Sequence, residues 1–166
     1  MPRPTLQLRY ELQGDLARLR VPAPSSEEVA DGLWQHTCFE AFVMPTQAGS
    51  YQEFNFSPSG QWASYRFRAE RVRDLAAEVS QQLGTRTQRP QLRLEHQGDR
   101  LVLHATLARE ALPGASPDGL LRLGLSAVVE DSAGQLSYWA LHHPAARPDF
   151  HHPGSFVHTL PWPFLP

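Results

Sequence analysis

Three tryptophans and a small set of acidic, amide and cationic side chains are the residues whose types could bind a small polar molecule. Aromatic rings offer flat apolar faces that stack on the C–H surface of a sugar ring, while carboxylates, amides and guanidines bond to hydroxyl groups. Glu53 and Asn55 are two positions apart on a predicted strand, so they share one face of it. The candidate ligand-binding residues are Trp34, Glu40, Glu53, Asn55, Trp62, Arg66, Trp139 and His143.

The same residues also have a purely structural interpretation. Tryptophans commonly pack in a core or at its rim, and Glu or Asn on the outer face of a sheet are commonly just solvated. On adjacent strands, Glu40 and Glu53 could instead form the carboxyl pair of a glycosidase, which needs two carboxyls about 5–10 Å apart. Nothing in the sequence raises the pKa of one above the other, and no G-x-S-x-G nucleophile motif is present. We therefore expect a binding protein and not an enzyme.

A cluster of histidines with one aspartate lies near the end of the chain. Imidazole and carboxylate are ordinary ligands of zinc and other transition metals, which makes His142, Asp149, His151 and His152 weak candidates for a metal site. The spacing matches no zinc signature, and His142 and His143 would point to opposite faces of a strand. A structural role in ordering the terminal loop is therefore favoured, with ligand contact and metal binding as alternatives.

Alternation of apolar and polar residues with period two dominates the chain and predicts β-strands separated by glycine- and proline-rich turns. The predicted strands are Leu6–Leu12, Ala17–Val21, Trp34–Pro45, Tyr51–Ser57, Gln61–Phe67, Gln91–His96, Arg100–Leu107, Leu120–Glu130 and Gln135–His142. One segment, Ala69–Leu83, has apolar residues at helical spacing and ends at Gly84, which predicts one amphipathic helix with a glycine C-cap.

Strands that follow strands with turns between them predict an all-β fold. We expect a two-sheet antiparallel β-sandwich, jelly-roll or immunoglobulin-like, with about nine strands and one short helix. No shift in composition suggests a boundary, so residues 1–166 are predicted to form one domain.

Charge and composition argue against several classes of partner. The net charge is −2 at pH 7, and the 15 basic residues are arginines scattered along the chain, so we expect no nucleic-acid partner. No segment approaches the roughly 20 apolar residues that span a bilayer, and the N-terminus lacks the apolar core of a signal peptide. The single cysteine, Cys38, has no disulfide partner and is expected to be an inert buried thiol. We expect a cytoplasmic protein without membrane contact, and the sequence predicts no particular oligomeric state.

Three segments together resemble a known group of modules. They are Leu33–Phe42 (LWQHTCFEAF), Tyr51–Trp62 (YQEFNFSPSGQW), and Ser137–Leu141 (SYWAL) with Pro148–Pro153 (PDFHHP). A tryptophan before an acidic E-x-F strand, followed by a tyrosine-led strand that runs into an S-P-x-G turn, is similar to the bacterial DOMON-like group related to family 9 carbohydrate-binding modules. The resemblance covers nearly the whole chain, and its middle segment is the most specific part.

The resemblance implies a β-sandwich that holds a ligand on one face or at a loop edge and has no catalytic activity. Characterised relatives bind sugars or haem. We therefore expect a carbohydrate-binding module in which the three tryptophans supply ring faces and the acidic, amide and Arg66 groups bond to hydroxyls. No cofactor is expected.

Two alternatives to the sugar-binding interpretation remain open. The first is a structural or protein-interaction sandwich without a small ligand. The second is a haem- or metal-binding domain. Haem-binding relatives use methionine and histidine as axial ligands, and Met44 with a histidine such as His143 is the pair available here. A methionine at a strand end is, however, usually ordinary packing.

Overall fold

The computed structural model describes residues 5–82, 89–114 and 118–161. Within these ranges there are ten β-strands and one α-helix. The strands form two sheets, in which every pair of neighbouring strands is antiparallel. The smaller sheet has the order β1 (Thr5–Gln13), β7 (Arg100–Ala108), β6 (Gln91–Gln97). The predicted all-β, two-sheet antiparallel sandwich is confirmed.

The larger sheet has seven strands. Their order is β10 (His158–Pro161), β8 (Leu120–Glu130), β2 (Cys38–Pro45), β3 (Tyr51–Phe56), β4 (Trp62–Ala69) and β5 (Val72–Arg73), with β9 (Leu136–Ala140) also paired to β8. Because β8 is 11 residues long, β10 pairs with its first residues and β9 with its last ones.

Apolar residues cover both faces of the larger sheet, which is why β2 and β3 are buried along almost their whole length. On one face, Phe39, Phe54 and Phe56 join residues of β1 and β7 in the core between the two sheets. On the opposite face, Phe42 and Phe67 belong to a second apolar cluster, which Phe156 covers from the C-terminal segment. Burial of each phenylalanine contributes about 1.5–3 kcal/mol to folding. The second face therefore has a rigid floor of its own.

Two predicted strands differ from the structure near the N-terminus. Ala17–Val21 is not a strand, since Leu16–Arg18 forms a 3₁₀ turn and Leu19 makes one isolated bridge. The strand predicted at Trp34–Pro45 begins only at Cys38, because Gly32 adopts a left-handed φ of 73° and starts a 3₁₀ turn over Leu33–Gln35. This turn lifts Trp34 out of the sheet.

The ends of the larger sheet were also predicted incompletely. The strand predicted at Gln135–His142 stops at Ala140. β10 was not predicted, because it is only four residues long and ends in a proline, Pro161. The strands predicted at Gln91–His96 and Arg100–Leu107 are present as β6 and β7, which form a hairpin with Gly98 at a φ of 58° in its turn.

The helix α1 (Leu75–Gln82) is shorter than the predicted Ala69–Leu83, because β4 runs to Ala69 and Val72–Arg73 adds β5. Asp74 caps it by accepting a hydrogen bond from the Ala77 amide. Its residue Glu78 is buried, whereas the apolar Leu75 and Val79 are exposed, so the apolar stripe that predicted the helix is not its packed face. Leu83 and Gly84 lie outside the described residues. No helix in the described ranges is long and apolar enough to span a bilayer.

Candidate functional site

A cleft of about 570 Å³ opens on the face of the larger sheet that points away from the smaller sheet. This volume lies within the range of about 300–1,000 Å³ that small-molecule sites occupy. Strands β2, β3, β4 and β8 form the floor, while the turn at Leu33–Gln35, β9 and the loop between β9 and β10 form the walls. The lining residues are Trp34, Gln35, Glu40, Phe42, Glu53, Tyr65, Phe67, Arg71, Arg73, Val128, Leu136, Tyr138, Pro148, Phe150 and His151.

Two carboxyl groups lie in the floor of the cleft. Glu40 on β2 is opposite Asn55 on β3, and Glu53 is opposite Phe42, so the two glutamates are diagonal neighbours about 7–8 Å apart at their Cα atoms. Each is at most 5% exposed. Ser126 Oγ donates a hydrogen bond to Glu40 Oε2 over 3.0 Å, and Asn55 Nδ2 donates one to Glu53 Oε1 over 2.8 Å. The strand register thus fixes both carboxyls on one face.

Burial raises the pKa of both carboxyls. It removes water from the ionised form, and for Glu40 the negative charge of Glu53 raises the pKa further. For Glu53, the hydrogen bond from Asn55 and the charges of Arg73 and Arg71 offset the effect of burial only in part. The cleft therefore favours neutral carboxyl groups, which can donate as well as accept hydrogen bonds.

His151 links the floor to the wall. The Tyr51 hydroxyl accepts a hydrogen bond from the Arg71 amide, so its proton is free for His151 Nδ1 at 2.7 Å. His151 Nε2 then carries the ring proton and points at Glu53 Oε2, 3.7 Å away. Burial, with the charge of Arg71, lowers the pKa of His151 to about 4. The imidazole is therefore a neutral donor at the cleft.

Aromatic rings form one wall of the cleft. The rings of Trp34 and Tyr65 pack edge to face, with an interplanar angle of 75° and 5.5 Å between the ring centroids. The Tyr65 hydroxyl donates a hydrogen bond to Asp31, next to the glycine that starts the 3₁₀ turn. This contact positions the turn, and the indole of Trp34 stays 39% exposed with a surface available for stacking.

The two arginines at the cleft are each paired with a carboxylate. Arg71 Nη2 is 2.7 Å from Asp149 Oδ1. Arg73 makes a two-pronged contact with Glu78, with Nε–Oε1 and Nη2–Oε2 distances of 3.0 and 2.6 Å, and its guanidinium lies 4.7 Å from the centre of the Tyr65 ring. Burial acts to raise the pKa of Asp149, but the Arg71 contact holds it below its usual value. Both guanidiniums are thus neutralised by the protein itself.

The structure brings three of the predicted residues together in the cleft. Trp34, Glu40 and Glu53 line it. Asn55 lies beside Glu40 on the same face, fully buried, and donates a hydrogen bond to Glu53 but does not line the cleft. As expected, Cys38 is a buried free thiol. Of the predicted ligand-binding residues, two carboxyls and one indole therefore line the cleft.

The other predicted residues lie elsewhere. Trp62 packs against the core between the sheets and lines a separate groove, and Arg66 alternates with Tyr65, so both leave β4 on the face opposite the cleft. Trp139 is 64% exposed on β9 but lies opposite Ala127, which packs towards the inter-sheet core. His143 contacts Phe150 without lining the cleft. The structure therefore does not bring these four residues into the cleft with Glu40 and Glu53.

The histidines do not converge. β9 ends before His142 and His143, so neither lies on a strand. His152 Nδ1 accepts a hydrogen bond from the Gly154 amide, and Asp149 pairs with Arg71. Over the described ranges, no group of three or more His, Cys, Asp or Glu side chains is arranged to hold a metal ion. Met44 is buried in the second apolar cluster and does not meet His143 at the cleft.

Sequence reasoning missed several residues of the cleft. Phe42, Tyr65 and Phe67 have the same strand alternation as the glutamates, so the period-two pattern could have placed them on this face. Arg71, with a left-handed φ of 56°, and Phe150 reach the cleft from loops, for which the alternation gives no signal. All three sequence segments that carry the family resemblance contribute side chains to the lining.

Fold and cleft together define a two-sheet β-sandwich with an aromatic-walled, acid-floored site. A solved structure with this fold is that of a protein named "putative carbohydrate-binding protein" from Bacteroides uniformis, with a TM-score of 0.66 and 17% sequence identity. The alignment covers 96% of this chain and 73% of that one. No known family matches the sequence, and neither does any curated protein. The likeness therefore shows the fold, and the DOMON-like resemblance stays a prediction.

Proposed function

We propose that this protein is a non-catalytic binding module for a small ligand, and that the ligand is a carbohydrate. The observation that carries the proposal is the convergence of aromatic rings and carboxyls in one cleft of sugar size. The exposed indole of Trp34 supplies an apolar surface for a pyranose ring, and Glu40, Glu53 and His151 supply hydrogen-bonding groups for hydroxyls. The name of the Bacteroides uniformis protein, which shares the fold, agrees with this proposal.

The arrangement of the carboxyls favours binding over hydrolysis. A glycosidase separates the two pKa values, so that one carboxyl is an acid while the other is ionised as base or nucleophile. Here burial raises the pKa of both groups, and each already accepts a hydrogen bond from its neighbour, Ser126 or Asn55. The pair is accordingly suited to holding hydroxyl or cationic groups.

We further propose that this module is DOMON-like and related to family 9 carbohydrate-binding modules. It is supported by the three resembling segments, which converge on the cleft although they are distant in sequence. Haem is the less favoured ligand, because Met44 packs inside the second cluster and His143 lies outside the cleft lining.

The test is a calorimetric titration with a panel of mono- and oligosaccharides and with haemin. We expect saturable binding of one sugar class, with Trp34→Ala weakening it at least tenfold, which is about 1.4 kcal/mol. Trp139→Ala is the matched control, since it removes an exposed indole away from the cleft and should leave the affinity unchanged. Binding of haemin alone, or equal effects of the two variants, would contradict the proposal.

A second candidate function is protein interaction through β9. Among the described residues this strand pairs only with β8, which leaves its other edge open, and it carries exposed Tyr138 and Trp139. An open, uncharged edge strand can pair with the same strand of a second copy. Light scattering coupled to size exclusion tests this: a dimer that Trp139→Ser abolishes would support it, and a wild-type monomer at high concentration would contradict it.

A further inference from the structure

The positive and negative charges at the cleft are unequal. Two arginines and two glutamates line it, and Arg71 and Arg73 are paired with Asp149 and Glu78. Glu40 and Glu53 have no such partner within the described ranges, since their hydrogen bonds come from the neutral Ser126 and Asn55. Ionisation of the glutamates would therefore leave negative charge in the floor that Arg71 and Arg73, which are already paired with other carboxylates, offset only in part.

Each glutamate also has one oxygen left for a ligand. Ser126 occupies Glu40 Oε2 and Asn55 occupies Glu53 Oε1. In the part of the chain that the structure describes, no hydrogen bond reaches Glu40 Oε1. His151 Nε2 lies 3.7 Å from Glu53 Oε2, too far for a hydrogen bond. Both side chains are more than nine-tenths buried, so these oxygens can gain partners only from what enters the cleft.

The walls suit a cation as well as a sugar ring. Trp34, Phe42, Tyr65, Phe67, Tyr138 and Phe150 surround the opening and floor. The negative face of an aromatic ring attracts an ammonium group within about 6 Å, and the attraction increases where water is excluded. Aromatic walls over unbalanced carboxyls are the combination that recognises organic cations.

We propose that the sugar bound in this cleft carries a free, protonated amino group, which binds the open oxygens of Glu40 and Glu53. The inference rests on the proposed carbohydrate-binding function and names its ligand class, an amino sugar. The ammonium supplies the positive charge that the protein lacks there and donates to both carboxyls, while the pyranose ring stacks on Trp34. Acetylation of the amine removes the charge and adds bulk, so N-acetylated sugars are disfavoured.

The test compares three probes that share a ring skeleton: oligomers of glucosamine, of N-acetylglucosamine and of glucose, titrated by calorimetry at neutral pH. We expect the glucosamine oligomer to bind at least tenfold more tightly than the other two. Glu40→Gln and Glu53→Gln keep size and shape, and each should reduce this preference to about threefold or less. Glu95→Gln on β6 makes the same charge change on the smaller sheet and should retain the full preference.

The outcomes separate this inference from the proposed function. Equal or tighter binding of the glucose oligomer by wild type would overturn the amino-sugar inference and leave the sugar-binding function standing. If no sugar binds but a simple amine such as benzylamine does, and Glu53→Gln abolishes that binding, cation recognition stands and the carbohydrate function falls. If no probe binds, both fail. Circular dichroism of each variant shows whether it is folded, so that a loss of the preference can be distinguished from a loss of folding.

Discussion

Glu40 shows at the scale of one residue why the cleft is unusual. Folding places its carboxyl in the floor of a sheet with a single neutral donor, Ser126. A carboxylate without a cationic partner is expensive to bury, and the group responds by holding its proton. Burial therefore destabilises the protein when Glu40 is ionised. In the proposed function, the same buried carboxyl is a hydrogen-bonding group for the ligand.

The pH dependence of stability follows from this raised pKa. In the unfolded chain the pKa of Glu40 is about 4.3, and folding raises it. The stability that this group contributes is therefore fully present below that pKa, and it is lost as the pH rises through the folded pKa. Glu40→Gln cannot ionise and should therefore gain stability relative to wild type as pH rises from 4 to 9, by about 1 kcal/mol or more. Urea unfolding at a series of pH values measures the difference, and parallel curves would contradict the account.

A second residue-scale prediction concerns His151. Burial lowers its pKa to about 4, and a Tyr51 hydroxyl that donates to Nδ1 over 2.7 Å puts the ring proton on Nε2. Its neutral form therefore contributes stability that is present above about 6.5 and is lost as pH falls towards 4. An NMR titration should show the His151 ring changing protonation near pH 4 and, above it, the Nε2–H tautomer. A midpoint near 6.5 would show that the ring is solvated and not buried as described.

At the scale of elements, a glycine in β8 lets the C-terminal segment cover the larger sheet. Gly124 lies opposite Phe42, and a Cβ at this position would be 2.7 Å from Phe156 Cδ1 and 3.2 Å from the Ser155 carbonyl oxygen. The backbone of β8 and the Phe156 ring are therefore in direct contact. This contact holds the segment that carries Phe150 and His151 over the cleft.

Gly124→Ala should accordingly destabilise the fold by about 1–3 kcal/mol, because the new methyl overpacks a buried contact. It should also weaken ligand binding by displacing the loop from β9 to β10. Gly49→Ala is the control, since nothing lies within 4 Å of its Cβ position. Thermal unfolding measures the effect. If the Gly124→Ala protein is as stable as the Gly49→Ala protein, Phe156 does not pack on β8 as described.

At the scale of the whole molecule, the sequence predicted the sandwich and part of the site. Alternation with period two is a local property, so it located most strands and placed Glu40 and Glu53 correctly on sheet faces. It could not tell which face of β4 would border the cleft, and so Trp62 and Arg66 were assigned to the wrong side. Nor could it place Arg71 and Phe150, because loops that cross the sheet are positioned by tertiary contacts such as Arg71–Asp149.

We propose that one face of the larger sheet, walled by Trp34, holds the ligand. The most direct test is two-dimensional NMR of the tryptophan indole N–H signals, which are first assigned by single substitutions. The signals are then followed during titration with the tightest-binding sugar. The signal of Trp34 should shift and saturate with the calorimetric affinity, while those of Trp62 and Trp139 stay in place, since both lie away from the cleft. Saturable shifts of Trp62 or Trp139 with Trp34 unchanged would place the ligand elsewhere and contradict the account.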